Sequence, residues 1–340
     1  MTRTAGQGVM KFLVTGSAGH LGEALARTLK AAGHEVVGLD IVESAHTTRV
    51  GSITDWLVAG SCMDGVQVVF HAATLHKPHV ATHSRREFVD TNITGTLNLL
   101  ETAAAAGVQS FVYTSTTSVF GDALIPPVGK PAAWITEDVP PVPRNIYGVT
   151  KSAAEDLCQL FHRNQGLACV VLRTSRFFPE EDDNNAVREA FADENVKANE
   201  YLYRRVDIED VVTAHLRAAE RAPDLTHELG FRKYIISATT PFRREDLELL
   251  RKDAPAVLRK RVPEYEAVYR ELGWKMFPGT DRVYVNDRAR KELGWEPRYD
   301  FARVIACLGL GEDFRSPLAR AIGSKGYHDE VFAQGPYPVE

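Results

Sequence analysis

Apolar positions along the first half of the chain follow two alternating rhythms. Short runs rich in Val, Ile and Phe occur at Phe12–Thr15, Glu35–Asp40, Val66–His71, Ser110–Thr114 and Ala168–Arg173, each bounded by turn-forming residues. Runs of this length and composition predict strands buried on both faces. Between them, Leu21–Ala32, Phe88–Ala106 and Tyr147–Gln165 return an apolar residue every three or four positions, the period of an amphipathic helix. The alternation predicts an α/β fold, a doubly wound parallel sheet with helices on both faces and right-handed crossovers. Gly33 and Gly107 follow the first two helices and are expected in the left-handed conformation that ends a helix.

The segment Asp122–Asn145 holds six prolines, which exclude helix and central strand and predict a long surface loop. Beyond Arg173 the rhythm fades. Pro179–Asn199 is acidic and Asn-rich, and Arg243–Arg270 is a charged helical region broken at Pro255 and Pro263. The expected organisation is a first lobe over residues 11–175, with returns to it near 207–219 and 233–238. A smaller mixed α/β lobe follows over 176–310, and then a tail over 311–340.

Composition narrows the function classes. A chain of 340 residues suits one large domain or two closely joined ones. Its 40 Lys+Arg against 45 Asp+Glu give a net charge of −5, which argues against nucleic acid or an anionic membrane as partner. The four cysteines lie far apart without a Cys-x-x-Cys pair, so a reduced cytoplasm is expected rather than a disulfide framework or zinc ribbon. No run approaches the roughly 18 apolar residues of a membrane span, and Met1–Lys11 has no signal-like core.

Candidate chemistry begins directly after the first strand. Gly16-Ser17-Ala18-Gly19-His20-Leu21-Gly22 opens into a helix, the context in which glycines admit a pyrophosphate to a helix N-terminus. Asp40 ends the second strand, where a carboxylate accepts from ribose hydroxyls and repels a 2′-phosphate, so NAD is expected over NADP. Further on, Tyr147 and Lys151 stand four residues apart on one helix face. A phenol with pKa about 10 is a poor base at neutral pH. An ammonium one turn away, with an oxidised nicotinamide, is expected to lower it enough to take a proton from a carbinol.

On these motifs the chain resembles the extended short-chain dehydrogenase/reductase family, the group of NAD-dependent epimerases and dehydratases. The resemblance spans roughly residues 11–310. It continues through His71-Ala72-Ala73, Asn92 with Gly95-Thr96, Phe111–Thr116, Val119-Phe120-Gly121, Asp207–Val211 and Leu293-Gly294-Trp295. It implies a Rossmann fold, NAD as cofactor and catalysis by Thr116, Tyr147 and Lys151, with Thr116 positioning the substrate oxygen. It also implies cofactor contacts from Gly16, Gly19, His20, Leu21, Gly22, Asp40, Ala72, Ala73, Thr74, Asn92 and Thr114, joined by Tyr147 and Lys151. A homodimer is implied, built by packing the helices at Phe88–Ala106 and Tyr147–Gln165.

Three positions depart from the sugar-nucleotide members of that family. Where they commonly carry an Asn and two arginines that grip a nucleoside diphosphate, this chain has Arg176, Tyr203 and Phe277. A smaller substrate is expected, a sugar-like compound or hydroxy acid, met by His76, Thr116, Thr117, Arg144 and Arg176. Arginine offers such an acid a bidentate fork. His76, His79 and His83 have helical metal-ligand spacing, but Pro78 interrupts them and no carboxylate or thiol joins them, so no metal is expected. The leading reading is an NAD-dependent oxidoreductase or epimerase acting on a secondary alcohol. The alternatives are a nucleotide-sugar 4-epimerase and a non-catalytic NAD-sensing protein.

Overall fold

A computed structural model describes residues 8–326 and residue 332. Seven parallel strands form the main sheet: β1 (Lys11–Thr15), β2 (Glu35–Asp40), β3 (Arg49–Val50), β4 (Val68–His71), β5 (Ser110–Thr116), β7 (Cys169–Thr174) and β8 (Arg232–Ile236). Their spatial order is β3-β2-β1-β4-β5-β7-β8, the doubly wound arrangement expected. Because the strands are covered on both faces, successive residues go to opposite cores. Phe12, Val14, Phe70, Val112 and Leu172 lie on one face, and Leu13, Val69, Phe111 and Val171 on the other.

Helices α1 (His20–Ala31), α2 (Trp56–Ser61), α3 (Arg85–Val89), α4 (Gly95–Ala105) and α5 (Ile146–Gln165) follow in chain order. A π-helical turn at Asp90–Thr94 joins α3 to α4, so the single helix expected at Phe88–Ala106 is bulged at Asn92. Gly33 and Gly107 take positive φ (80° and 69°), ending their helices as expected. Past β7 come α6 (Asn185–Ala190), α7 (Asp193–Glu200) and α8 (Ile208–Leu229), the last packed on β5 and β7.

Two short strands escape the sequence pattern. One is β3, only two residues long. The other is β6 (Ala133–Ile135), inside the proline-rich loop, which pairs in parallel with β9 (Arg282–Tyr284) in a separate two-stranded sheet. A third core, including Leu202, Val257, Leu258, Val283 and Phe301, underlies this lobe. In the tail after Gly311, Pro317–Ile322 is helical and packs on α1 and α8. No helix among the described residues is long and apolar enough to cross a membrane.

Candidate active site

The sheet order reverses between β1 and β4, and both following loops open at that crevice. After β1 the chain turns at Gly16 with φ +73°, where a Cβ would stand 2.8 Å from the amide nitrogen of Ala73. Gly22 crosses so close over this turn that a Cβ would fall 1.9 Å from the Gly16 carbonyl oxygen. At Gly19, by contrast, a Cβ would approach only the Gly16 oxygen, at 3.3 Å. No side chain caps α1, and its first-turn N–H groups at His20, Leu21 and Gly22 have no intrahelical partner. The residues therefore fit a diphosphate, which the positive end of α1 attracts. Gly22→Ala is expected to abolish dinucleotide binding and to lower the melting temperature. Unchanged NADH affinity in a fluorescence titration would remove this turn from the site.

Asp40 accepts the Ala18 N–H on one carboxylate oxygen and the Val42 N–H on the other, each at 2.9 Å. Each oxygen keeps a lone pair for a ribose hydroxyl. Ala72 and Ala73 follow β4 against Gly16, with the Ala73 N–H donating to the Thr15 hydroxyl at 3.2 Å.

Thr116 ends β5, and Tyr147 opens α5, which Asn145 caps by accepting the Gly148 N–H at 3.0 Å. Both side chains are buried, and Thr116 lies near enough to the phenol of Tyr147 to favour its ionised form. Lys151, one turn along, is 2 % exposed. Its ammonium donates to the Thr114 carbonyl at 2.6 Å and lies 4.1 Å from the Tyr113 ring centre. Burial pushes the phenol of Tyr147 up to about 12 despite the opposing influence of Thr116, and pushes Lys151 down to about 7. The protein by itself thus does not lower the phenol as the spacing suggested, because desolvation outweighs the effect of Thr116. Thr117 is buried at the start of the turn after Thr116.

Asn92 is a clamp rather than an open amide. Its oxygen accepts from Leu75 N–H (2.8 Å) and Thr74 hydroxyl (2.9 Å), while its nitrogen donates to the Leu75 carbonyl (2.9 Å) and the Thr150 hydroxyl (3.0 Å). It ties the loop after β4 to the helix carrying Tyr147 and Lys151, from a π-helical turn of the kind often found at functional sites. The Thr114 hydroxyl is likewise engaged, 2.8 Å from Nε2 of His215.

The expected substrate cations are mostly engaged elsewhere. Arg144 makes an exposed pair with Asp122 at 2.9 Å. Arg176 faces Asp182 and Glu200 and donates to the carbonyls of Glu180 and Glu181, so its guanidinium stitches the lobe together. His76 stacks edge-on to His79 at 4.3 Å, and His79 to His83 at 5.1 Å. Among the described residues no group of three His, Cys, Asp or Glu is arranged to hold a metal. The His20 ring lies 3.0 Å from Glu180, which also accepts from Ser324 and from the N–H groups of Lys325 and Gly326. Residues 324–326 are thereby pinned beside the glycine turn, and Lys325 also reaches Glu23 at 2.6 Å.

Two important residues carried different amounts of sequence signal. Glu155 continues the i, i+4 series from Tyr147 through Lys151, so its face was readable. It is fully buried and binds Arg173 at 2.7 Å, Ser115 at 2.6 Å and Lys233 at 2.9 Å. Glu180 had no local signal, since its partners lie far away in sequence.

A model of the NAD dependent epimerase/dehydratase family matches residues 12–229. The chain is 27% identical to a 3-beta-hydroxysteroid dehydrogenase of Mycolicibacterium neoaurum, over 97% of this chain and 95% of that protein. It is 28% identical to a UDP-glucose 4-epimerase of Rhizobium meliloti, over 86% and 94% of the two chains. Its fold matches a short-chain dehydrogenase/reductase superfamily protein from Agrobacterium tumefaciens solved with bound NAD. That match has a TM-score of 0.61 at 22% identity, covering 88% of this chain and 97% of the other.

Proposed function

The chain belongs to the NAD-dependent epimerase/dehydratase family and is an NAD-dependent enzyme, and on that premise we propose hydride transfer at a secondary alcohol of a small sugar-like or hydroxy-acid substrate. One observation carries the reading: Thr116 at the carboxyl end of β5 and Tyr147 and Lys151 one turn apart on α5 are all buried together at that edge of the sheet. In this reading residues 11–175, with the returns at 207–219 and 233–238, hold the dinucleotide, and residues 176–310 hold the substrate.

Bound NAD supplies the nicotinamide ring that exchanges hydride with the carbinol carbon. The Thr116 hydroxyl orients the substrate oxygen, and Tyr147 takes its proton. Lys151 supplies positive charge one turn below the phenol and would hold the nicotinamide ribose when NAD is bound. Burial of all three side chains keeps water from competing for the proton. Asn92, through Thr150 and Leu75, fixes the two segments relative to each other.

Asp40 reads the adenosine ribose. Asp40→Ala is expected to weaken NAD roughly tenfold to a hundredfold, the worth of one or two charge-assisted hydrogen bonds. It should also bring NADP up relative to NAD. An unchanged ratio of the two affinities would mean that another residue selects the cofactor.

A homodimer through α4 and α5 is part of the proposal, supported by Val149 and Leu160, which α5 leaves exposed. A reducing, cytoplasmic setting is supported by four cysteines that are all free. The decisive experiment offers purified protein, NAD and a panel of small hydroxy acids and polyols, and follows NADH. Turnover of a panel member supports the reading. Turnover of UDP-sugars alone would overturn its substrate half, and failure to bind NAD would overturn it entirely.

A further inference from the structure

The lobe facing the carboxyl ends of β5 and β7 contains one guanidinium with a different environment from its neighbours. Arg176, Arg204 and Arg205 are each paired with Asp182, Glu200 or both. Arg282 has no carboxylate partner among the described residues, and its Nε is buried without a hydrogen-bond acceptor. It is held instead by rings, with its guanidinium carbon 5.3 Å from the centre of Tyr203 and 5.7 Å from that of Tyr284. Ring contacts of this kind offer its N–H groups no acceptor oxygen and leave the fork to a ligand.

Position ties that fork to the segments that flank the site. Arg282 and Tyr284 alternate with Val283 on β9, so they share a face while Val283 enters the lobe core. Tyr284 joins the apolar cluster of Val119 and Phe120, which lie in the turn directly after Thr116. On the other side, Tyr203 precedes the Arg205–Arg176 bridge, just beyond the end of β7, whose Thr174 is the register partner of Thr116. Tyr203 also begins an apolar wall, with Phe277 at 6.1 Å and Phe191 at 5.0 Å from Phe277.

We propose that Arg282 is the substrate's anion grip, and that the substrate is a hydroxy acid with an apolar or aromatic body, its carboxylate on Arg282 and its body against Tyr203, Phe277 and Phe191. The inference deepens the reading above and rests on it. A single guanidinium suits one carboxylate through two parallel N–H···O bonds. A diphosphate would need further cations, and the neighbouring arginines are already paired with acids.

The test uses NAD-loaded protein with phenyllactate, which joins a secondary alcohol, a carboxylate and a ring, against its uncharged methyl ester. Calorimetry is expected to show the acid binding more tightly than the ester in the parent. Arg282→Met should weaken the acid roughly tenfold to a hundredfold, the loss of a charge-assisted pair, and erase the preference over the ester. Arg282→Lys, which keeps the charge without the fork, should fall between. NAD affinity and circular dichroism should be the same in all three proteins. Equal binding of acid and ester by the parent, no binding of either, or an Arg282→Met affinity equal to the parent's would each overturn the inference. Those results with NAD binding intact leave the hydride-transfer reading standing, whereas loss of NAD binding by the parent strikes that reading instead.

Discussion

Tyr147→Phe is expected to cut turnover by roughly a hundredfold to ten-thousandfold, the usual worth of a positioned acid–base group, while NAD affinity stays nearly constant. The substitution removes one hydroxyl from a buried position and leaves the ring to fill the same volume, so the helix and the glycine turn have no reason to move. Thr116 keeps its acceptor role toward the Ser118 N–H at 3.1 Å. The pH dependence follows from burial. With the phenol pushed up to about 12, the base form is scarce at neutral pH, and oxidation should speed up as pH rises. Lys151, brought down to about 7, loses its charge over the same rise and opposes that gain. Because Tyr147 titrates above Lys151, the two effects cancel once the lysine begins to lose its proton, so the parent's rate should rise with pH up to about 7 and then level off. The phenylalanine variant should lose the rising limb altogether. Comparable rates in the two proteins across pH would take Tyr147 out of the chemistry.

Much of this site was legible in the sequence because it is local. The turn Gly16–Gly22, Asp40 at a strand end, and Tyr147 with Lys151 on one helix face are short-range patterns whose geometry follows from strand and helix periods. The structure sets them together because parallel strands align their carboxyl ends. Arg176 illustrates the opposite case. As a lone cation beyond β7 it looked available, but Asp182 and Glu200 reach it only after α7 folds back, which spacing alone does not reveal. Arg282 went unnoticed for the converse reason. Several acids flank it in sequence, including Asp281 and Asp287, and only the fold shows Asp281 pairing with Arg251 and Asp287 with Arg290. Strand β6 was hidden by its surrounding prolines. Its three residues form a strand only because β9 arrives from about 150 positions away to pair with them.

Glu155→Gln carries the largest expected cost in stability, roughly 3–5 kcal/mol, since it strips the charge partner from a buried arginine. Arg173 is 2 % exposed and cannot turn to water, whereas Lys233 is nearer the surface and can. Burial alone would raise the Glu155 carboxyl, but Arg173, Lys233 and Ser115 hold it below its ordinary value. A carboxylate held down in this way stabilises the fold above its unfolded pKa, and that contribution disappears as pH falls through the folded value. The gap between parent and variant in urea melts should thus be full at neutral pH and close in acid. Glu155 also raises Lys151 against the effect of burial, so removing its charge should let the lysine deprotonate earlier and end the rising limb of the rate profile at lower pH. Pairing Glu155→Leu with Arg173→Met separates the two effects. Replacing both partners with apolar groups should restore much of the stability and leave the displaced end of the limb where it was. Recovery of the parent's pH profile together with its stability would show that Glu155 serves the fold alone, and an unmoved end of the limb in Glu155→Gln would show the same.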